Sequence, residues 1–345
     1  METQASALSG PTMRAVGIER FGGVEALRDG DWPAPQRRPQ DVVIAVQAAS
    51  INFRDGLIRG GRYVARRLLP QLPFVLGSDV AGRILETSDS RPELTAGTPV
   101  FAMQPSLRGF GGYAERIAVP AEVVARMPRG VSFAEAAAMP LAGLTALQAL
   151  RDLGGLRPGE RVAVVGASGG VGTFGVQIAR ALGAASVVGV ASERNHELVA
   201  SLGADRVLDY RRTDWIDRLG PIDVIFDAHG GGSLRELRPA LASGGRFITT
   251  VPSPGALRDH LKTSLWPFGH RSRLVVVRSR ADDLAELADL AERGAVRSVI
   301  DRLEPLDQAA ELHQHSQSRR SRGKNVFAVG AEANEVPRPA VDRLG

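Results

Sequence analysis

Residues 161–180 read Arg-Val-Ala-Val-Val-Gly-Ala-Ser-Gly-Gly-Val-Gly-Thr-Phe-Gly-Val-Gln-Ile-Ala-Arg, a run that few backbone arrangements accommodate. Val162 to Val165 are apolar without interruption, as a strand buried on both faces requires. Small residues follow. Val171, Phe174, Val176, Ile178 and Ala179 then recur as they would on a buried helix. Arg157-Pro-Gly-Glu160 turns the chain into the strand, and Leu182-Gly183-Ala184 ends the helix. Strand, glycine turn and helix in this order form the context in which spaced glycines bind a dinucleotide. Glycines let the backbone approach a pyrophosphate closely, and the helix N-terminus offers free N–H groups and the positive end of its dipole. With Ala167 at the first motif position, Ser168, Gly169, Gly170 and Val171 meet the pyrophosphate, and Gly172 lets the helix pack on its strand. The competing reading is a glycine-rich turn that binds nothing.

The chain changes texture on either side of this stretch. Before it, Met13 to Ile18, Val42 to Ala48, Phe74 to Leu85, Val100 to Met103 and Tyr113 to Val119 read as strands, with Pro33, Pro35 and Pro39 punctuating a link. Residues 12–133 are therefore expected to form a mostly-β domain. Ser132 with Glu135 three residues on is a capping box, and Pro140 breaks the helix it opens before a second helix from Leu144 to Leu153. From Arg161, strands at 162–165, 186–191, 206–208, 223–227 and 245–250 alternate with helices at 171–182, 194–202, 213–219 and 233–242. That alternation implies a doubly wound parallel sheet over residues 134–282, so the fold class is α/β with an added β domain. Leu274 to Val277 reads as a further strand, Asp282 to Arg293 as an amphipathic helix, and Val299-Ile300 and Asn325 to Val329 as late strands. Residues 1–11 and 331–345 are polar or proline-containing and are expected to be disordered.

Composition excludes several function classes. No cysteine is present, so disulfides, cysteine nucleophiles and thiolate zinc sites are ruled out. The net charge of +5 comes almost wholly from arginine, Lys262 and Lys324 being the only lysines, and no dense basic run with interleaved aromatics marks a nucleic-acid surface. No apolar run approaches 20 residues, and residues 1–11 lack a signal-peptide core; no membrane span is expected and the cytoplasm is the default compartment. His313 and His315 are two positions apart and do not share a helical face, which argues against paired metal ligation.

The end of the second strand selects between the two nicotinamide cofactors. An acidic residue there accepts the ribose hydroxyls of NAD; an arginine accommodates the 2′-phosphate of NADP. The sequence is Ala191-Ser-Glu-Arg-Asn195. Ser192 and Arg194 together supply the hydroxyl and the guanidinium that a phosphate requires, with Glu193 between them, so the reading leans to NADPH. The alternative for Arg194 is a solvated first-turn residue.

Several further segments carry a resemblance. Asn52-Phe-Arg-Asp55 with Arg59 and Tyr63 downstream, Leu76-Gly-Ser-Asp-Val-Ala-Gly82, Gly111-Gly-Tyr-Ala-Glu115, Leu141-Ala-Gly-Leu-Thr-Ala146, Leu202-Gly-Ala-Asp205 through Asp209-Tyr210, and Gly323-Lys-Asn-Val326 resemble motifs of the medium-chain dehydrogenase/reductase superfamily, in its zinc-independent, quinone oxidoreductase-like branch. The resemblance runs from about Met13 to Val329. It implies a GroES-like β domain, completed by residues 283–330, beside a Rossmann domain, with the active site between them. It also implies NADPH-dependent reduction of a quinone or of a carbon–carbon double bond conjugated to a carbonyl, and a homodimer joined through strand 274–277. Zinc-dependent relatives carry ligating cysteines and a Gly-His-Glu motif; the sequence here is Gly77-Ser78-Asp79.

Without a metal, reduction of a conjugated acceptor needs stabilisation of a developing oxyanion and a proton source. Tyr63, one of three tyrosines, is the first candidate for either task; the alternative is a pocket-lining ring. Asn52 is a candidate to orient substrate or ribose; the alternative is a turn-stabilising side chain. Asp55 and Arg59 are expected to form a structural ion pair. The resemblance implies Tyr210 beside the adenosine phosphate, the alternative being a packed strand-end tyrosine; Thr145 is expected at the nicotinamide end, and Thr249, Thr250 and Val251 near the carboxamide. His229 ends a strand where such sheets bind ligands. Two rival functions remain open: an enoyl reductase for a carrier-bound intermediate, with Arg62, Arg66 and Arg67 as a basic rim, and a catalytically silent NADPH-binding regulator or scaffold.

Overall fold

The computed structural model describes residues 11–88, 90–105, 109–265 and 269–337. Residues 1–10 and 338–345, within the two ends expected to lack structure, lie outside the described residues.

The β-rich half begins with β1 (Thr12–Ile18), β2 (Leu27–Pro33) and β3 (Asp41–Ile51), continues through helix α1 (Phe53–Arg59), and adds β4 (Phe74–Val75), β5 (Asp79–Glu86), β6 (Pro99–Met103), β7 (Arg116–Pro120) and β8 (Val124–Arg126). β1 lies between β2 and β4 in a small antiparallel sheet. β3 is buried along almost its whole length and is the spine of a larger sheet, pairing antiparallel with β5 and β7. Its β-branched and alanine residues suit a strand covered on both faces.

Helices α2 (Phe133–Ala137) and α3 (Pro140–Leu147) lead out of this half, and the α3 helix continues as a π-helical stretch to Leu153. The Ser132 hydroxyl accepts from the Glu135 N–H at 3.3 Å, and the Glu135 carboxylate accepts from the Ser132 N–H at 2.9 Å, the reciprocal box read from the sequence. Pro140 occupies the first position of α3, where a missing N–H costs nothing.

The α/β half contains β9 (Arg161–Val165), α4 (Gly170–Ala181), β10 (Ser186–Val190), α5 (His196–Ser201), β11 (Arg206–Leu208), β12 (Ile222–Asp227), α6 (Leu234–Leu237), β13 (Leu241–Thr249), α7 (Pro254–Leu265) and β14 (Arg271–Leu274). Its six strands are all parallel, in the order β11-β10-β9-β12-β13-β14. This is the Rossmann order, with its switch point between β9 and β12, the place where such sheets open a ligand crevice. The chain then returns: α8 (Ala281–Glu292) packs on α3 and β8, β15 (Ile300–Pro305) and α9 (Ala309–Gln317) follow, and β16 (Lys324–Ala328) joins the large sheet between β15 and β3. The GroES-like and Rossmann halves share one apolar core, running from Phe101 and Met103 through Met139 and Leu144 to Val164 and Phe174.

Three expectations are corrected, and one helix is added. The edge strand read at 274–277 lies at Arg271–Leu274, because Ser272 makes hydrogen bonds in both directions with Thr263 of α7 and fixes the register; Val276 is exposed beyond the strand. The segment 213–219 forms turns rather than a helix. α7 carries no clear signal in the sequence, since Pro254, Gly255 and alternating charge obscure its periodicity. Residues 331–337 are not disordered: Ala333 is buried, its carbonyl accepts from the Ala134 N–H at 2.8 Å, and Glu332 pairs with Arg83 at 2.7 Å.

The glycine stretch makes one sharp demand. A Cβ on Gly172 would overlap the Gly166 carbonyl oxygen, so the first turn of α4 sits directly on the end of β9. Gly172→Ala is expected to destabilise the protein by roughly 2–4 kcal/mol through overpacking against backbone. A chemical-denaturation midpoint within experimental error of the parent would show instead that the loop yields.

Candidate active site

The chain places a polar cluster where the β-rich half meets the glycine turn. Asn52 follows the last residue of β3 and caps α1; its side chain is buried. Asp79 opens β5, opposite Ser50 of β3. Lys324 opens β16. These three strands bring the side chains together with exposures of 5%, 0% and 4%. The Lys324 ammonium donates to the Asn52 Oδ1 at 2.6 Å and to the Ile51 carbonyl at 3.0 Å. The Asn52 Nδ2 donates to the Asp79 Oδ2 at 3.1 Å, and Lys324 lies 3.9 Å from that oxygen. Ser50, Ser78 and the Leu141 N–H complete the Asp79 carboxylate. Burial pushes the Lys324 ammonium below its usual range, and the Asp79 charge opposes that shift.

A second buried pair lies behind the first. The Tyr113 hydroxyl donates to the Asp55 Oδ2 at 2.6 Å, and the Asn52 N–H donates to the same oxygen at 2.8 Å. Burial raises both the Asp55 carboxyl and the Tyr113 hydroxyl above their ordinary ranges, the latter strongly. The expected Asp55–Arg59 ion pair is not formed. The helix turn carries Arg59 away to the Gly22 carbonyl at 3.4 Å and the Gln317 amide oxygen at 3.0 Å, while Asp55 faces Tyr113. Asn52 is thus both the turn-forming residue and a polar group held at the cleft. Tyr63 lies on the loop after α1, half-buried against the core of the β-rich half; its hydroxyl has no protein partner among the described residues.

The glycine turn reaches the same place. Gly169 caps α4, so the N–H groups of Gly170, Val171 and Gly172 start that helix without intrahelical acceptors. Gly169 forms a parallel bridge with Gly323, and the Gly323 N–H donates to the Ser168 carbonyl at 2.9 Å. A Cβ on Gly170 would lie 2.8 Å from Cδ of Lys324. The stem of the lysine that holds Asn52 is therefore the wall of the phosphate turn.

A side-chain chain extends from the turn to the second strand's end. Asn195 Nδ2 donates to Ser168 Oγ at 2.9 Å and to Ser192 Oγ at 3.2 Å, while its Oδ1 is buried without a partner. Ser192 is buried; Arg194 is exposed, donating to the Arg320 carbonyl at 3.4 Å. Glu193 is exposed, and Asp209 accepts from the Glu193 and Arg211 N–H groups, which holds its carboxyl below the usual range. Tyr210 is 53% exposed with the Arg211 guanidinium 5.8 Å from its ring. The other end of the crevice is built on Asp227 of β12, whose carboxylate accepts from the Gly230 and Gly232 N–H groups and from Thr249. Thr250 donates to the Asp227 and Ala228 carbonyls at 3.4 Å, and Val251 packs against Gly230. The Thr145 hydroxyl donates to the Leu141 carbonyl at 2.6 Å and keeps only its acceptor capacity for a ligand. His229 is exposed, its Nε2 3.2 Å from the Arg319 guanidinium, which stacks 4.7 Å from the Phe53 ring.

The crevice fits a dinucleotide: bare helix N–H groups at a turn where Gly169, Gly170 and Gly172 carry no Cβ, an unsatisfied buried Asn195 oxygen, and exposed guanidinium groups beyond the second strand. Among the described residues, no three His, Asp or Glu side chains cluster so as to hold a metal ion, and no helix is long and apolar enough to cross a membrane. The sequence points to Asn52 and the turn as site residues; Asp79 and Lys324 stand in its motifs without a role at the site, and Arg319 and Arg320 only as a short basic pair. The scarcity of lysine was the available signal for Lys324.

Comparison with known proteins agrees with this layout. Residues 38–129 match the alcohol dehydrogenase GroES-like domain, and residues 202–327 match the family described as zinc-binding dehydrogenase. The chain is 32% identical over 330 residues to the chloroplast envelope quinone oxidoreductase homolog of Arabidopsis thaliana, covering 92% of this chain and 99% of the relative. It is 31% identical over 314 residues to the quinone oxidoreductase of Homo sapiens, covering 88% and 93%. The structure of the quinone oxidoreductase from Coxiella burnetii superposes with a TM-score of 0.85 at 28% identity, covering 93% of this chain and all of that one. The chain belongs to the medium-chain dehydrogenase/reductase superfamily and is quinone oxidoreductase-like: an oxidoreductase of a family that binds a nicotinamide cofactor.

One buried group adjoining the site makes folding sensitive to acid. His313 of α9 meets the Tyr113 ring edge-on, is 1% exposed, and its Nε2 has no partner. Burial depresses its pKa to about 3 from an ordinary 6.5, with the Arg59 charge adding to the shift. Unfolding therefore takes up a proton between these values. The contribution is intact above pH 6.5 and is lost as pH falls toward 3. In His313→Gln, the decline of the urea-unfolding free energy from pH 6.5 to 4.5 is expected to be shallower by up to about 1.4 kcal/mol per pH unit. Equal slopes would contradict a neutral buried imidazole.

Proposed function

We propose that this protein is an NADPH-dependent reductase that delivers hydride, without a metal, to a quinone or to a carbon–carbon double bond conjugated to a carbonyl. The observation that carries the proposal is the buried Asn52 amide, fixed between Lys324 and Asp79 and joined to the glycine turn through the Lys324 stem that lies against Gly170. When bound, the dihydronicotinamide supplies the hydride. The chain's own residues do the rest. Ser168, Gly169, Gly170 and Val171 hold the pyrophosphate; Ser192, Arg194 and Tyr210 receive the 2′-phosphate; Thr250, Val251 and Thr145 border the nicotinamide. Asn52 donates to the oxygen on which negative charge develops, and Tyr63 supplies the proton or a second hydrogen bond.

Two sets of relatives support the acceptor class. Several are named quinone oxidoreductases, and one, 31% identical over 335 residues, is the 2-methylene-furan-3-one reductase of Solanum lycopersicum. A mycobacterial neighbour with a TM-score of 0.76 and 26% identity was solved in complex with NADPH, which favours the phosphorylated cofactor. The carrier-bound alternative keeps its basic rim, since Arg62, Arg66 and Arg67 are all exposed, Arg66 with its guanidinium 4.7 Å from the Phe21 ring. The outer edge of β14 is covered by α7, whose Thr263 and His260 engage the Ser272 N–H and carbonyl, so a homodimer on this side would meet through the exposed Leu257, Leu261 and Leu265 of α7; static light scattering distinguishes it from a monomer.

The activity is tested by NADPH oxidation with 1,4-benzoquinone, 9,10-phenanthrenequinone and a crotonyl thioester. Turnover of at least one is expected. Tight NADPH binding with no oxidation of any would favour a regulator or scaffold. Arg194→Glu is expected to lower kcat/KM with NADPH by roughly 10- to 100-fold through loss of a charge-assisted phosphate contact, and to leave NADH nearly unaffected. A parallel loss with both cofactors would remove Arg194 from the phosphate site.

A further inference from the structure

Lys324 is an unusual residue in its surroundings. The chain uses arginine at nearly every basic position and lysine only at 262 and 324. At 324 the ammonium is wholly enclosed, which is costly unless the charge is met by acceptors. A guanidinium is a wide planar fork; an ammonium on an unbranched stem is a point charge that fits a narrow channel. Here that stem runs beside Gly170 before the ammonium reaches Asn52.

The geometry around Asn52 is polar at both ends in opposite senses. Its Oδ1 faces the ammonium and its Nδ2 faces the Asp79 carboxylate. Turning the amide over would set NH₂ against NH₃⁺ and oxygen against carboxylate, unfavourable at both contacts. An asparagine amide carries two N–H donors, and Asp79 consumes one. The second is left unspent, and its identity as a donor is fixed by the ions on either side. The same lysine is joined to the cofactor side: Gly323, its neighbour in sequence, binds Ser168 and bridges Gly169.

We infer that Lys324 is a positioning residue: with Asp79 it locks the Asn52 amide as a hydrogen-bond donor toward the substrate oxygen, and through Gly323 and its own stem it sets that donor at a fixed place relative to the phosphate turn. The inference rests on the reading of Asn52 as the oxyanion donor.

The test is a double-substitution cycle on Lys324→Met and Asn52→Ala, with Lys324→Gln as the variant that keeps a donor. Met preserves the stem beside Gly170, so the NADPH Kd, read by quenching of protein fluorescence, is expected to stay within about threefold, while kcat falls roughly 10- to 100-fold, as misplacement of a reacting group does. The double variant is expected to be no slower than Asn52→Ala alone, and Lys324→Gln to recover part of the rate. Additive losses, or a Lys324→Met kcat within threefold of the parent, would overturn the inference. An independent readout does not need turnover. In the NADPH-bound protein the Asn52 side-chain N–H groups are expected to exchange with solvent at least tenfold faster in Lys324→Met than in the parent, measured by amide exchange in nitrogen-15 spectra. Unchanged exchange would overturn the inference even if no acceptor were ever reduced, whereas faster exchange without turnover would uphold the lock and reject the reductase reading.

Discussion

A buried ammonium has to be answered, and in this protein the answer organises the site. Lys324 cannot be enclosed unless β16 lies beside β3, because two of its acceptors are the Ile51 carbonyl at the end of that strand and the amide of Asn52, the next residue. Its counter-charge, Asp79, is usable only if β5 lies on the other side of β3. The last strand of the chain must therefore return to the β-rich half after the whole Rossmann sheet has been made. In doing so it carries Gly323 across the phosphate turn. Removing one partner of such a buried network costs far more than an exposed pair does. The many arginine–carboxylate pairs at the surface, such as Arg129–Glu292 and Arg212–Asp214, are solvent-screened and each contribute little.

The two halves of the site divide the chemistry. The Rossmann half supplies the backbone groups of the glycine turn, which are fixed once the strand order is fixed, together with the Ser192–Asn195–Ser168 side-chain network. The β-rich half supplies side chains, and these need support to act as fixed groups. Asp55 and Tyr113 give that support to α1, Asp227 gives it to the loop after β12, and Lys324 with Asp79 gives it to Asn52. A preorganised donor loses no energy to reorientation when charge develops on the substrate, which is where such sites gain their rate.

Much of this was legible in the residues. The apolar run 162–165 followed by glycines and a buried-helix pattern identified β9, the turn and α4, and the Ser132–Glu135 box marked the start of α2. What escaped depended on contacts between distant segments. β14 lies three residues earlier than the valine-rich run suggested, because pairing with β13 and the hydrogen bonds between Ser272 and Thr263 outweigh β propensity. Asp55 and Arg59 are one helical turn apart, a spacing that suggests an ion pair, but Tyr113, distant in sequence, takes the carboxylate. Ala333 and Glu332 fall in a stretch that looks frayed, yet Ala134 and Arg83 hold it. The role of Lys324 required three strands to be assembled before it could be seen.

The central claim is direct hydride delivery to a conjugated acceptor held by Asn52. Reduction of an enone with NADPH deuterated at C4 of the dihydronicotinamide, followed by mass and proton spectra of the product, tests it most directly. The account predicts one deuterium, from one face of the nicotinamide only, at the carbon β to the carbonyl. NADPH consumed with no deuterium retained in the saturated product would contradict it.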